Sequence, residues 1–248
     1  MSNEFVGEER NYRYAIYYAP SRDGELWKNG TTWLGRDPIT QETLPQPSVP
    51  GISQEQIRAL TSQPRRYGFH ATLKAPFALA HSTSLSDLKD AVRRICQNTE
   101  VFPMPRLVVK LHNSTLSLVV AQRGHSDQIN TLCKNCVTDL HSLAAPLPES
   151  EIARQRRKSV LSDIQDKYLL EWGYPHVFDQ FEFHMTVTNK LKGTSEATQH
   201  ALKTMAEILL LPEENPLQES FLFDQIAIFA EPTEGSDFVL VESFKLGA

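Results

Sequence analysis

The chain has 248 residues, with 25 Lys and Arg against 30 Asp and Glu and a formal charge of −5, a balance that excludes a strongly basic nucleic-acid coat. Its 40% apolar and 9% aromatic content excludes disorder of the whole, and its length fits one large domain or two small fused lobes. No run approaches the roughly 18–20 apolar residues of a membrane span, and Met1 to Tyr12 is polar and acidic with no apolar signal core, so a cytoplasmic protein without a membrane partner is expected.

The first predicted element is a strand, Tyr14-Ala-Ile-Tyr-Tyr-Ala19, β-branched and aromatic and ended by Pro20. A segment rich in Pro, Gly, Thr and Gln follows, read as a long loop at about 21–64. Phe69 to Phe77 reads as a second strand. Ser84 with Asp87 caps a helix to about Gln97, with Leu85, Leu88, Val92 and Ile95 as one stripe. A hairpin over 106–121 turns at His112-Asn-Ser114. A helix from about Ser126 to Leu143 carries Cys133 and Cys136, whose apolar neighbours recur at helical spacing. Those two thiols therefore read as packed helix residues, neither zinc ligands nor a redox pair. With Cys96 they make three cysteines, an odd number that suits a reducing compartment.

Further on, Ser162 with Gln165 forms a capping box for a helix to Trp172, stopped by Gly173. Phe181 to Thr188 reads as a strand, Ser195 to Leu211 as a helix, and Phe221 to Phe229 with Phe238 to Phe244 as a closing strand pair. Each half of the chain thus runs through strand, helix and paired strands in similar order, an α+β arrangement of two related lobes.

Four His-x-Ser/Thr triplets occur, at His70, His81, His112 and His184, and context separates them. His81 lies in a polar loop and His112 in the predicted turn, both expected to face solvent. Phe69-His-Ala-Thr-Leu73 and Phe183-His-Met-Thr-Val187 have apolar residues at alternate positions. Because strand side chains alternate faces, His70 with Thr72, and His184 with Thr186, project together from the face opposite the core. Lys74 is expected to continue the first polar face. Arg66 and Tyr67 precede the first strand, Tyr174 the second, and these three are expected at the rim of a shared groove. The Arg154 to Lys158 run, mixed with Glu149 and Glu151, reads as the solvated face of a helix.

The paired motif resembles the two-histidine (2H) phosphoesterase superfamily. The blocks Arg13-Tyr-Ala-Ile-Tyr17, Trp33-Leu-Gly-Arg-Asp37, Arg65 to Phe77, Trp172-Gly-Tyr-Pro175 and Phe183-His-Met-Thr186 are similar to a bacterial branch of it labelled for phosphonate metabolism, across roughly residues 13–190. Val187 stands where Leu is commoner, and His176 where an aromatic is. The resemblance implies a single two-lobed domain over 1–248, with antiparallel sheets, helices outside and the groove between the lobes. It also implies metal-independent chemistry without a cofactor.

Two imidazoles suit a phosphodiester on chemical grounds alone, since one removes a proton from the attacking oxygen and the other delivers one to the leaving oxygen near neutral pH. Thr72, Thr186 and Lys74 would bind the phosphate oxygens. The expectation is therefore hydrolysis of a small cyclic phosphodiester or nucleotide by His70 and His184. The alternatives are an RNA-end 2′,3′-cyclic phosphodiesterase or 2′-5′ ligase, less favoured by the acidic balance, and a nucleotide-binding module without turnover. The sequence does not fix the oligomeric state or the order of acid and base.

Overall fold

The structure is a computed structural model that describes residues 12–122, 126–211 and 221–248. The polar N-terminal stretch read above lies, up to residue 11, outside the described residues. In chain order the elements begin with strand β1 (Arg13–Tyr18), helices α1 (Glu25–Leu34), α2 (Gln54–Leu60) and α3 (Ser62–Tyr67), strand β2 (Ala71–Ala78) and helix α4 (Leu85–Gln97). Strands β3 (Phe102–Pro103), β4 (Leu107–His112) and β5 (Thr115–Val120) come next, then helices α5 (Asp127–Asp139), α6 (Glu149–Lys158) and α7 (Asp163–Trp172). Strand β6 (His184–Thr186), helix α8 (Glu196–Leu210) and strands β7 (Leu222–Phe223), β8 (Gln225–Glu231) and β9 (Val239–Lys245) complete the chain.

The fold is α+β with two main antiparallel sheets. The first has the order β2-β1-β8-β9 and the second β4-β5-β6, while β3 and β7 form a short separate pair. Strand β1 is buried on both faces, which explains its unbroken apolar sequence. Tyr14, Ile16 and Tyr18 join the main core, whereas Ala15, Tyr17 and Ala19 form a smaller cluster with Trp27, Ala227, Phe229 and Phe238. Helices α4 and α5 back the first sheet, and α8, packed on α1, backs the second. Ser84 accepts from the Asp87 amide and Ser162 from the Gln165 amide, so both expected capping boxes start their helices, and Gly173 ends α7 in the left-handed region.

The arrangement of the lobes and the segment 21–64 differ from the sequence reading. First, the lobes are not the two halves of the chain: β8 and β9, from the C-terminal end, complete the first sheet, while the β4–β5 hairpin pairs with β6 to make the second. Alternation reveals that a strand is half-buried but not which strand lies beside it. Second, the segment 21–64 is not a continuous loop, because α1, α2 and the start of α3 occupy much of it. Gly30 and two threonines weaken the helical signal of α1. Gly30 is required by packing, since a Cβ there would stand 2.2 Å from the ring of Phe69. Trp27 and Trp33 are buried on this helix, and the Trp33 indole donates to the Val187 carbonyl at 2.8 Å.

Strand β6 is shorter than the expected 181–188. At its C-terminal flank the Val187 amide still donates to the Leu116 carbonyl of β5, but the Val187 carbonyl is taken by the Trp33 indole and the Leu116 amide by the Thr188 hydroxyl.

Candidate active site

The first histidine sits just before β2. Phe69, Ala71 and Leu73 are in the main core, while His70 and Thr72 point the other way, on the face that carries Tyr17, the cross-strand partner of Thr72. The His70 ring stacks on Tyr17 with centroids 3.9 Å apart. Its Nδ1 lies 2.8 Å from the Gly68 carbonyl, so Nδ1 carries the proton and donates. Nε2 lies 3.3 Å from the Thr72 hydroxyl. Gly68 presents that carbonyl at φ +82°, and a Cβ there would come within 3.0 Å of Pro38.

The second histidine repeats this arrangement. Phe183, Met185 and Val187 are buried, and His184 Nδ1 lies 2.7 Å from the Glu182 carbonyl, again two residues back. Opposite it on β5, Val119 pairs with His184 and Ser117 with Thr186, so the buried Ser117 hydroxyl shares the face of Thr186. Strand β6 neighbours β2, and the charge of His184 bears on His70.

Burial dominates the proton affinity of both rings. It pushes His70 down to about 4, opposed by its bond to Gly68 and reinforced by His184. His184 is also lowered, first by burial; its bond to the Glu182 carbonyl opposes this, His112 and His176 add to it, and the Glu182 carboxylate opposes it. Both shifts favour the neutral imidazole near pH 7.

The remaining expected residues divide. Lys74 does not continue the polar face: β2 is bulged, so that Thr72 opposes Tyr17 but Lys74 opposes Ile16, whose side chain is in the main core. Its ammonium lies over Phe77 and 3.4 Å from the Val137 carbonyl of α5. Burial pushes Lys74 down to about 8, while the Cys136 and Cys133 thiols oppose the shift. Those thiols are packed helix residues, as read above, with burial raising Cys133 to about 12. Arg66 donates to the Gly235 and Ser236 carbonyls and to the Tyr67 hydroxyl, and it pairs with Glu231. Tyr67 lies 6.0 Å from the His70 ring, centroid to centroid. Tyr174, half-buried and raised to about 12 by burial, is within electrostatic range of Tyr67 and Tyr17.

His112 is one of the two histidines, with His81, that the sequence reading set aside. It is the last residue of the β4 ladder, paired with Thr115 across a two-residue turn in which Asn113 and Ser114 both have positive φ. Its ring stands 4.9 Å from that of His184, its Nδ1 is 3.7 Å from Glu182 Oε2, and its Nε2 accepts from the Asn113 amide at 3.0 Å. Counting alternate positions back from the apolar Val109 would have placed His112 on the polar face. His81, by contrast, is exposed in a turn as expected. Among the described residues no group of three His, Cys, Asp or Glu side chains is arranged to hold a metal ion, and no helix is long and apolar enough to cross a membrane.

Two antiparallel sheets with helices packed against them make up the α+β fold that the resemblance to the two-histidine phosphoesterases implies. The chain belongs to the family described as a protein of unknown function, DUF1045, whose model matches residues 72–239. It is 36% identical over 202 residues to the ribose 1,5-bisphosphate phosphokinase PhnN of Janthinobacterium sp. (strain Marseille), a match covering 82% of this chain and 44% of that protein. It is 32% identical over 181 residues to the protein of the same name from Laribacter hongkongensis (strain HLHK9), covering 72% of this chain and 40% of that one. The chain thus spans under half the length of these curated relatives. Among solved structures, E. coli LigT complexed with NADP+ aligns over 96% of this chain and 98% of its own, with a TM-score of 0.44 and 11% identity. Usb1 of Kluyveromyces marxianus with uridine monophosphate aligns over 94% and 100%, with a TM-score of 0.34 and 9% identity.

Proposed function

We propose that the chain is a metal-independent phosphodiesterase that opens a small cyclic phosphodiester. The observation that carries this reading is the matched anchoring of the two rings: each Nδ1 is tied to the carbonyl two residues back, which leaves both Nε2 atoms for the substrate. His70, whose ring burial holds neutral, is the base. Its Nε2 takes a proton from water as the water oxygen forms a bond to phosphorus. His184, protonated beside Glu182 once the phosphate anion is bound, is the acid. Its Nε2 delivers a proton to the ring oxygen whose bond to phosphorus breaks. Thr72 and Thr186 donate to the non-bridging oxygens, where charge redistributes in the transition state.

The substrate class we favour is a ribosyl cyclic phosphate. Its opening yields a ribosyl phosphomonoester, the kind of compound in the name of the PhnN relatives. Each positioned acid or base contributes on the order of 10²–10⁴-fold, so His70→Ala or His184→Ala is expected to lower turnover by at least about 10²-fold. The test is hydrolysis of a ribosyl cyclic phosphate and a 2′,3′-cyclic nucleotide in EDTA, followed by phosphorus NMR. Turnover unaffected by the chelator is expected. Loss of activity on chelation with recovery on adding metal would reject the metal-free mechanism, and binding without turnover across these substrates would reject the enzyme.

A further inference from the structure

Helix α3 has six residues, well under the roughly 12–15 that an isolated helix needs to persist in water, so its ends have to be held from outside. It runs directly into the first motif. The Gly68 amide closes its last turn on the Pro64 and Arg65 carbonyls, and the Gly68 carbonyl accepts from His70 Nδ1. The orientation of that imidazole is therefore set by where α3 ends. At its other end α3 has no side-chain cap from its own N-cap residue, because Thr61 turns its hydroxyl to the Ile57 carbonyl of α2.

The cap comes instead from the chain just beyond the second motif. Asn189 Oδ1 accepts from the Gln63 amide, in the first turn of α3, at 2.8 Å. Its Nδ2 donates to the Ala59 carbonyl at the end of α2 at 2.8 Å and to the Ser62 hydroxyl at 2.9 Å, and its backbone amide donates to the Leu60 carbonyl. One residue thus satisfies orphan groups at the end of one helix and at the start of the next. The segment that carries it is itself fixed. The Val187 carbonyl accepts from the Trp33 indole of α1, and the Thr188 hydroxyl accepts from the Leu116 amide of β5. The elbow between α2 and α3, and with it the approach to His70, is tied to the strand that bears His184.

We propose that Asn189 is a positioning residue for His70: by capping α2 and α3 from the end of β6 it fixes the Gly68 carbonyl, and so the tautomer and orientation of the His70 ring. It acts through α3 and not on the substrate. With the bond to Gly68 in place the proton sits on Nδ1 and Nε2 is the basic nitrogen. With that carbonyl displaced the neutral ring divides between its two tautomers, and molecules protonated on Nε2 have lost the base. The consequence for turnover rests on the phosphodiesterase reading above; the consequence for the ring does not.

The test is nitrogen-15 NMR of the histidine rings in the full chain, which reads the tautomer of each, with His70 assigned from the spectrum of His70→Gln. In Asn189→Ala we expect the His70 signals to move from the Nδ1–H pattern toward the average of the two tautomers. Those of His184, tied to the Glu182 carbonyl, should keep their pattern. Ser84→Ala, which removes the capping box of α4, controls for lost helix capping alone and should shift neither ring. Asn189→Asp keeps an acceptor for the Gln63 amide and should restore the His70 pattern. On a cyclic phosphodiester, Asn189→Ala should lower kcat by at least about 10-fold while KM changes by less than about 3-fold. Should Asn189→Ala not fold, Asn189→Ser carries the same comparison. Unmoved His70 signals, equal movement in Ser84→Ala, or an unchanged kcat in an active chain would overturn the role. His70 signals that move as expected in a chain that opens no cyclic phosphodiester would sink the phosphodiesterase reading and leave the positioning of the ring standing.

Discussion

His70 and His184 were legible because alternation along a strand is a local property: the apolar residues at 69, 71 and 73, and at 183, 185 and 187, commit the imidazoles to the opposite face. His112 was not, since its place beside His184 depends on which hairpin pairs with β6. Its proximity predicts a measurable effect. Removing a like charge that lowers His184 raises the affinity of that ring for its proton, so His112→Ala should move the alkaline limb of the pH–rate profile to higher pH. A purely structural role would lower the plateau and leave the limb in place. A second pH effect concerns stability. His70 is held at about 4 in the folded chain against about 6.5 unfolded. Between those values the unfolded state binds more protons, so stability is fully present above about pH 6.5 and declines as pH falls toward 4. His70→Gln should lose less stability than the unmodified chain between pH 7 and 4.5, as read from urea midpoints; an equal loss would show that the buried imidazole does not contribute.

At the scale of elements, helix starts were readable because capping is a short-range exchange of hydrogen bonds, as at Ser84 and Ser162. The bulge in β2 was not, because it is a mismatch against β1 and exists only once the two strands meet. It redirects Lys74 from the groove to the core, an error that no count of alternate residues within β2 could have caught. Helix α1 supports the site from behind through Gly30, where the Phe69 ring occupies the space of a missing Cβ. Gly30→Ala adds helix propensity of about 1 kcal/mol, but overpacking typically costs about 1–3 kcal/mol. With fully buried Phe69 as the group that must move, net destabilisation is expected. Because Phe69 precedes His70, turnover should fall even at temperatures where the variant remains folded. Urea denaturation and activity measured on the same preparation would check both, and an unchanged turnover would argue against this support.

For the whole molecule, the exchange of hairpins between the two sheets binds the lobes into one unit. The main core holds residues of both sheets and of α1, α4, α5 and α8, so neither lobe retains a complete interior alone. A chain ending at residue 122 lacks β8, the partner of β1 across most of its length, and should not fold by circular dichroism. The full chain should unfold in one transition seen alike by different probes. The sequence reading of two lobes in succession missed the exchange, because pairing across some two hundred residues leaves no mark on local periodicity. The bond from the Trp33 indole to the Val187 carbonyl has an optical consequence. It places a shielded fluorophore one residue beyond Thr186, so occupancy of the site can be followed through intrinsic emission without any attached dye.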